Sequence, residues 1–170
     1  MNSLTFEPVR TPEDIAALAD LAREIWFEYY VSLIGHEQVE YMVAKFQSAP
    51  AMAAQIAQGY EYFRVQQADR GTIGYAAVQE QADRSLFISK LYLLRDCRGR
   101  GTGRQIMAFI EDLAGERGLM GLWLTVNKGN PAVAAYQRLG FHVAEAIVAD
   151  IGNGFVMDDF RMEKHLPAQR

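Results

Sequence analysis

From Leu4 to Arg10 apolar and polar residues alternate with the period of a short strand that buries one face. The pattern then changes to helical spacing, with Ile15, Leu18, Leu21, Ala22 and Ile25 on one stripe. Thr11 stands where a helix cap belongs, Pro12 fits the first helical position, and Glu13 and Asp14 favour the positive end of the helix dipole. A second helix is predicted over His36 to Gln47, with Val39, Met42, Val43 and Phe46 on one face, until "SAP" interrupts it; a short helix over Ala51 to Gln58 follows.

Three strand-like runs come next, Tyr60 to Gln67, Thr72 to Glu80 and Leu86 to Leu94, joined by the turn sequences "ADRG" and "QADRS". They read as an antiparallel meander. Ile106, Phe109, Ile110 and Leu113 then mark a helix, and "GLMGLWLTV" marks a buried strand. Asn130 is placed to cap a further helix, with Pro131 at its first position and Gly140 just past its end. Phe141 to Val148 and Phe155 to Lys164 are the last strands, with "DIGNG" as the hairpin turn and "LPAQR" as a frayed tail. The order β-α-α-β-β-β-α-β-α-β-β predicts an α/β (α+β) fold of about seven strands in one mixed central sheet, organised as a single domain over 1–170.

Composition narrows the class. The chain has 170 residues, of which 50% are hydrophobic and 22% charged, with a net charge of -4. A domain of this size buries about 70% of the surface its unfolded chain exposes, so its core needs no staple. Cys97 is the single cysteine, which excludes an intrachain disulfide, and His36, His142 and His165 show no zinc-ligand spacing, so no metal is expected. The N-terminal stretch lacks the basic start and apolar block of a signal peptide, and no apolar run approaches a membrane span. A cytoplasmic protein without a membrane partner is the expectation.

The chemistry gathers at "CRGRGTGRQ", Cys97 to Gln105, between a strand and an amphipathic helix. A P-loop would end in Gly-Lys-Ser/Thr and a dinucleotide fingerprint would read G-x-G-x-x-G; neither fits. An Arg/Gly-rich RNA segment would be repetitive and disordered, whereas this is a single copy inside a patterned region, and nucleic acid is disfavoured as a partner. A pyrophosphate cradle does fit. Glycines let successive backbone N–H groups converge on an anion, the following helix adds its positive end, and Arg98, Arg100 and Arg104 add charge.

"RGRGTG", Arg98 to Gly103, resembles the Arg/Gln-x-x-Gly-x-Gly/Ala signature of the GNAT superfamily of acyl-CoA N-acyltransferases, and "ISKLYLLRD" before it resembles that family's fourth strand. The resemblance implies that Arg98, Gly99, Arg100, Gly101, Thr102 and Gly103 hold the pyrophosphate of acetyl-CoA. It implies as well that the backbone of Leu91, Tyr92 and Leu93 pairs with the pantetheine arm like an added strand. The segment "NKGNPAVAAYQRLGFHV" is similar to the second family signature at Asn127, Asn130, Tyr136 or Gln137, Gly140 and Phe141, with Val133 where the family has alanine and with Tyr136 four before Gly140 as the signature requires. Asn130 is thereby implicated in contacting the coenzyme as well as in capping.

When an amine attacks a thioester, negative charge collects on the departing sulfur, and a phenolic O–H aimed at it can stabilise or protonate the thiolate. Tyr136 is the candidate for that role. The attacking amine must be neutral, so its proton needs an acceptor. The family often supplies a carboxylate on or near the fourth strand, but "SLFISKLYLL" carries Ser85, Ser89 and Lys90 and no acid, which leaves Glu28, Asp158 and Asp159 as candidates elsewhere. The aromatic and acidic run Glu24 to Gly35, together with "FVMDDF", suits a cationic amine through charge and cation–π attraction. More loosely, the whole pattern resembles PaiA-like polyamine acetyltransferases. The expected partners are acetyl-CoA and an amine acceptor, with homodimerisation left open; the rival readings are a protein or peptide acetyltransferase and a non-catalytic acyl-CoA-binding regulator.

Overall fold

The computed structural model describes residues 3–168, so the last two residues of the "LPAQR" tail lie outside them. The strands are β1 (Leu4–Pro8), β2 (Glu61–Gln67), β3 (Gly71–Glu80), β4 (Ser85–Leu93), β5 (Gly121–Asn127), β6 (His142–Gly152) and β7 (Phe155–His165). The helices are α1 (Pro12–Tyr29), α2 (Val31–Ile34), α3 (His36–Phe46), α4 (Ala49–Ala57), α5 (Thr102–Glu116) and α6 (Ala132–Arg138), with one 3-10 turn over Arg95–Cys97. The strands hydrogen-bond in the order β1-β2-β3-β4-β5-β7-β6, a mixed sheet in which β4 and β5 are parallel and every other described pairing is antiparallel.

Backbone contacts group the chain into two compact units. One comprises residues up to Gln79 with Lys90–Ile106. In it the Thr11 hydroxyl accepts the N–H of Asp14 at 3.1 Å and starts α1, whose Leu18, Ala22 and Ile25 pack with Val9, Met52, Tyr62, Tyr75 and Ala77 into a core. Fully burying a large apolar side chain stabilises by about 1.5–3 kcal/mol, so this cluster fixes α1 and α4 on the strands. At Gly74 the backbone of β3 comes so close to β4 that a Cβ there would lie 2.3 Å from the Tyr92 carbonyl oxygen. Only glycine permits that approach.

The other unit comprises Glu80–Ser89 and the chain from Met107 on. Here β5 runs beside β7 in full register from Gly121↔His165 to Asn127↔Asp159, and β6 covers the far side of β7. The β4–β5 pairing covers only Ser85–Phe87 against Gly121–Trp123. Phe87 stacks on Trp123 at 4.0 Å, and the Arg161 guanidinium lies 4.0 Å over the same indole. Lys164 donates to Glu111 of α5 at 2.5 Å and to the Leu139 carbonyl at 2.7 Å, so a cation sits at the C-terminal end of α6.

Several expectations are corrected. Four helices, not two long and one short, lie between β1 and β2: Tyr30 serves both as the C-cap of α1 and the N-cap of α2, and "SAP" starts α4 rather than merely ending α3. Ser48 is its cap, accepting the Ala51 N–H at 3.3 Å, and Pro50 is tolerated because the first turn has unbonded N–H groups anyway. The last hairpin is tighter than "DIGNG" suggests, because β6 continues to Gly152 and turns on Asn153 and Gly154, both at positive φ. Leu166 is held, not frayed, its N–H donating to the Met120 carbonyl at 2.9 Å.

Candidate active site

The glycine loop follows β4 in the first unit. Gly99 and Gly101 have φ of 74° and 78°, the left-handed region in which a Cβ is penalised, so the residue type is required by the backbone. Gly103 lies inside the first turn of α5 with no such requirement, where glycine costs about 1 kcal/mol relative to alanine. A Cβ added at Gly99, Gly101 or Gly103 would meet nothing within 4 Å. The loop is therefore bare on one side and opens onto the start of α5, where the N–H groups of the first helical turn have no intrahelical acceptor. The Gly101 carbonyl already accepts the Gln105 N–H at 3.1 Å, and Thr102 is 8% exposed, so this turn is formed in advance. Residues of this type and conformation fit a pyrophosphate.

The arginines divide into two groups. Arg98 donates from Nη1 to both Glu28 carboxylate oxygens at 2.8 and 3.1 Å, and from Nε and Nη2 to the Leu93 carbonyl at 3.1 and 2.9 Å. Its guanidinium also lies 4.6 Å over the ring of Tyr29. That side chain is consumed inside the protein, joining the end of α1, the end of β4 and the loop, and it takes the Leu93 carbonyl with it. Arg100 and Arg104 are exposed and make no hydrogen bond or ion pair among the described residues, which leaves them able to meet an anion. A second brace comes from Arg70, which donates to Asp96 at 2.6 Å and to the buried Cys97 sulfur at 3.2 Å.

Leu91 and Tyr92 are half-buried and Leu93 is buried; the strict in-and-out alternation of β4 slips by one residue at Leu91–Tyr92. Tyr92 lies in an aromatic group drawn from the Glu24 to Gly35 run, with Trp26 at 5.4 Å and Tyr30 at 6.2 Å between ring centres. Trp26 is itself 4% exposed and stacks on Tyr30 at 4.2 Å, so the run supplies core on one side and half-exposed tyrosines on the other. Glu28 is committed to Arg98 and is not an open carboxylate.

Lys90 carries a signal that strand patterning alone missed. It shares the parity of Leu86 and Ile88, so its side chain goes where an apolar one belongs, and it is 4% exposed. Its ammonium donates to the Phe46 carbonyl at 2.5 Å, to Gln55 Oε1 at 2.9 Å and to the Tyr62 hydroxyl at 2.5 Å. The Tyr62 hydroxyl donates in turn to Gln55. Removal from water lowers the Lys90 pKa to about 7, and burial raises that of Tyr62. Lys90 thus ties the end of α3, α4 and β2 to β4 where the family often has an acid.

In the second unit, the end of β5 folds back through side-chain turns. Asn127 Oδ1 accepts the Gly129 N–H and Asn130 Oδ1 accepts the Ala132 N–H, each at 2.8 Å. Asn130, 6% exposed, therefore fixes the entry to α6 from just outside the helix, with Pro131 occupying the cap position. Tyr136 is half-buried on α6 and meets Phe141 edge-on at 5.8 Å, while its carbonyl accepts the Phe141 N–H at 3.0 Å. Asp158 is exposed and pairs with Lys128 at 2.6 Å; Asp159 is 6% exposed, and loss of solvent together with the Asp158 charge raises its pKa to about 6. No group of three or more His, Cys, Asp or Glu placed to hold a metal ion, and no helix long and apolar enough to cross a membrane, occurs among the described residues.

The sequence is similar to streptothricin acetyltransferase of Streptomyces lavendulae, with 42% identity over 76 residues, 44% of this chain and 40% of that protein. The chain thus spans less than half the length of that relative. Among solved structures, the PaiA N-acetyltransferase of Thermoplasma acidophilum in complex with coenzyme A superposes with a TM-score of 0.78 at 22% identity, covering 96% of this chain and 99% of that one. A spermidine N-acetyltransferase SpeG chimera from Vibrio cholerae and hSSAT superposes with a TM-score of 0.69 at 19% identity, covering 95% of each chain. These likenesses establish a common fold. The family model described as an acetyltransferase (GNAT) domain matches residues 31–165, and the chain belongs to that family.

Proposed function

We propose that this chain is an acetyl-CoA-dependent N-acetyltransferase, a single GNAT domain working in the cytoplasm on a primary amine by direct attack. The observation that carries this reading is the bare glycine loop at the start of α5, flanked by the uncommitted Arg100 and Arg104. Backbone N–H groups of Gly99, Gly101, Thr102 and Gly103 would hold the pyrophosphate, and Arg98 would act through the loop it fastens. Leu91 and Tyr92 would offer backbone to the pantetheine arm, and Asn130 would set the start of α6.

In the transfer, the nitrogen lone pair forms the N–C bond and the C–S bond breaks. The Tyr136 hydroxyl gives its proton to the departing sulfur, and the proton lost from nitrogen restores the phenol. No acyl-enzyme is required. A small cationic amine such as a polyamine is the acceptor class we favour, because the buried carboxylate of Asp159, without a hydrogen bond or ion pair among the described residues, suits a cation.

The test is calorimetry with acetyl-CoA followed by a screen of polyamines, amino acids and peptides for thiol release. Binding with release on small amines supports the reading; release only on peptides moves the acceptor to a protein or peptide amine. Binding without release on any amine favours a non-catalytic acyl-CoA-binding regulator, for which the buried and fully engaged Lys90 on β4 speaks.

A further inference from the structure

Asp159 is an anomaly of the second unit. It is 6% exposed, yet its carboxylate has no hydrogen bond or ion pair among the described residues, and neither oxygen is sealed from solvent. A carboxylate largely, though not wholly, withdrawn from water and left without a partner is costly and ordinarily replaced or paired. Its neighbour shows the contrast, since Asp158 faces solvent and holds Lys128 at 2.6 Å.

Its position is equally specific. Across the β5–β7 ladder Asp159 stands opposite Asn127, the last residue of β5, and across β6–β7 it stands opposite Ile147. The chain leaving Asn127 makes the two asparagine turns and enters α6, which carries Tyr136. The unpaired acid and the phenol thus belong to elements that meet at one end of one strand.

We propose that Asp159 is the group that receives the acceptor: its carboxylate binds the incoming ammonium, removes one proton from it and releases that proton to water after transfer. The step balances as ammonium plus carboxylate giving neutral amine plus carboxylic acid, and the freed lone pair is the one that attacks the thioester. This rests on the acetyl-transfer reading above and supplies the base that β4 lacks. A pKa near 6 makes the carboxylate a better proton acceptor than an ordinary aspartate while leaving it ionised at neutral pH. The charged groups acting on it are Asp158, which raises that value, and Lys128, which lowers it.

The experiment compares the intact protein with Asp159→Asn and Asp158→Asn. Spermidine and n-butylamine are the probes, with amine binding read by calorimetry and thiol release from acetyl-CoA read between pH 5 and 9. Asp159→Asn is expected to lose tenfold or more in amine affinity and on the order of a hundredfold in kcat/KM. It should also lose the acid limb of the pH profile, keep its acetyl-CoA affinity, and melt at a higher temperature at pH 8. Asp158→Asn is expected to keep the maximal rate and shift the acid limb to lower pH, a readout independent of how Asp159→Asn folds. Wild-type amine affinity in Asp159→Asn, an acid limb unmoved in Asp158→Asn, or no amine binding by the unaltered protein overturns the proposal. Amine binding that depends on Asp159 without any thiol release upholds its ammonium-binding role, and overturns both the proton removal and the acetyl-transfer reading.

Discussion

Arg98 and Glu28, 70 residues apart, form a two-pronged ion pair at 2.8 and 3.1 Å that fastens the glycine loop to the end of α1. The pair is partly exposed and worth about 1 kcal/mol or less as a charge contact, so its value lies in fixing geometry. Arg98→Ala is expected to raise the KM for acetyl-CoA on the order of tenfold, about 1.4 kcal/mol, with a smaller change in kcat. Arg98→Lys should rescue little, because a single ammonium cannot bridge Glu28 and the Leu93 carbonyl together. Steady-state kinetics of both variants checks this, and an unchanged KM in Arg98→Ala refutes the fastening role.

Gly103 separates stability from binding. Its backbone accepts a side chain, so Gly103→Ala should stabilise α5 by about 1 kcal/mol while filling the bare side of the loop and weakening acetyl-CoA. At Gly101, φ of 78° makes any side chain strained, and Gly101→Glu adds a like charge and should abolish binding. Thermal melts with and without acetyl-CoA distinguish the two; a Gly103→Ala protein that is less stable and binds normally would contradict the cradle.

Tyr136→Phe keeps the ring that meets Phe141 edge-on and removes only the hydroxyl. Thiol release is expected to fall about 10²-fold with little change in acetyl-CoA affinity. A normal release rate would remove Tyr136 from the chemistry.

Lys90 makes stability depend on pH. Its pKa falls from the ordinary lysine value of 10.5 to about 7 on folding, so between these values the unfolded chain binds more protons and stability rises with pH. The slope approaches 1.4 kcal/mol per unit at most. Buried Tyr62 and Tyr75 act oppositely above their ordinary value of 10, because the unfolded chain then loses protons that the folded one keeps. Urea denaturation at pH 7, 8 and 9 should therefore show increasing stability, and Lys90→Met should flatten the trend.

What could be read in advance divides along the range of the forces involved. Thr11, Pro12, Glu13 and Asp14 announce α1 because capping is settled within one turn, and Gly99 and Gly101 announce the loop because their backbone conformation demands their residue type. α2 was not legible: four residues without a side-chain cap leave no period to detect. The commitments of Arg98 to Glu28 and of Lys90 to Phe46 join distant segments, so nothing near either residue records them. The parity of Lys90 with Leu86 and Ile88 was the one local sign that this lysine is buried. Likewise Asp158 and Asp159 are the same residue type side by side, and only the pleat of β7 makes one a surface ion pair and the other a buried acid.

The Lys90 knot also bears on the order in which the chain folds. Its contacts close loops of 28, 35 and 44 residues at once, to Tyr62, Gln55 and Phe46. Each must wait until α3, α4 and β2 are already in place, since the entropy of closing such loops is lost before the hydrogen bonds return anything. A knot that closes this late would raise the barrier to unfolding rather than lower the barrier to folding. Its loss would be felt as faster unfolding with a nearly unchanged folding rate, which makes this buried lysine a latch on the lifetime of the folded state.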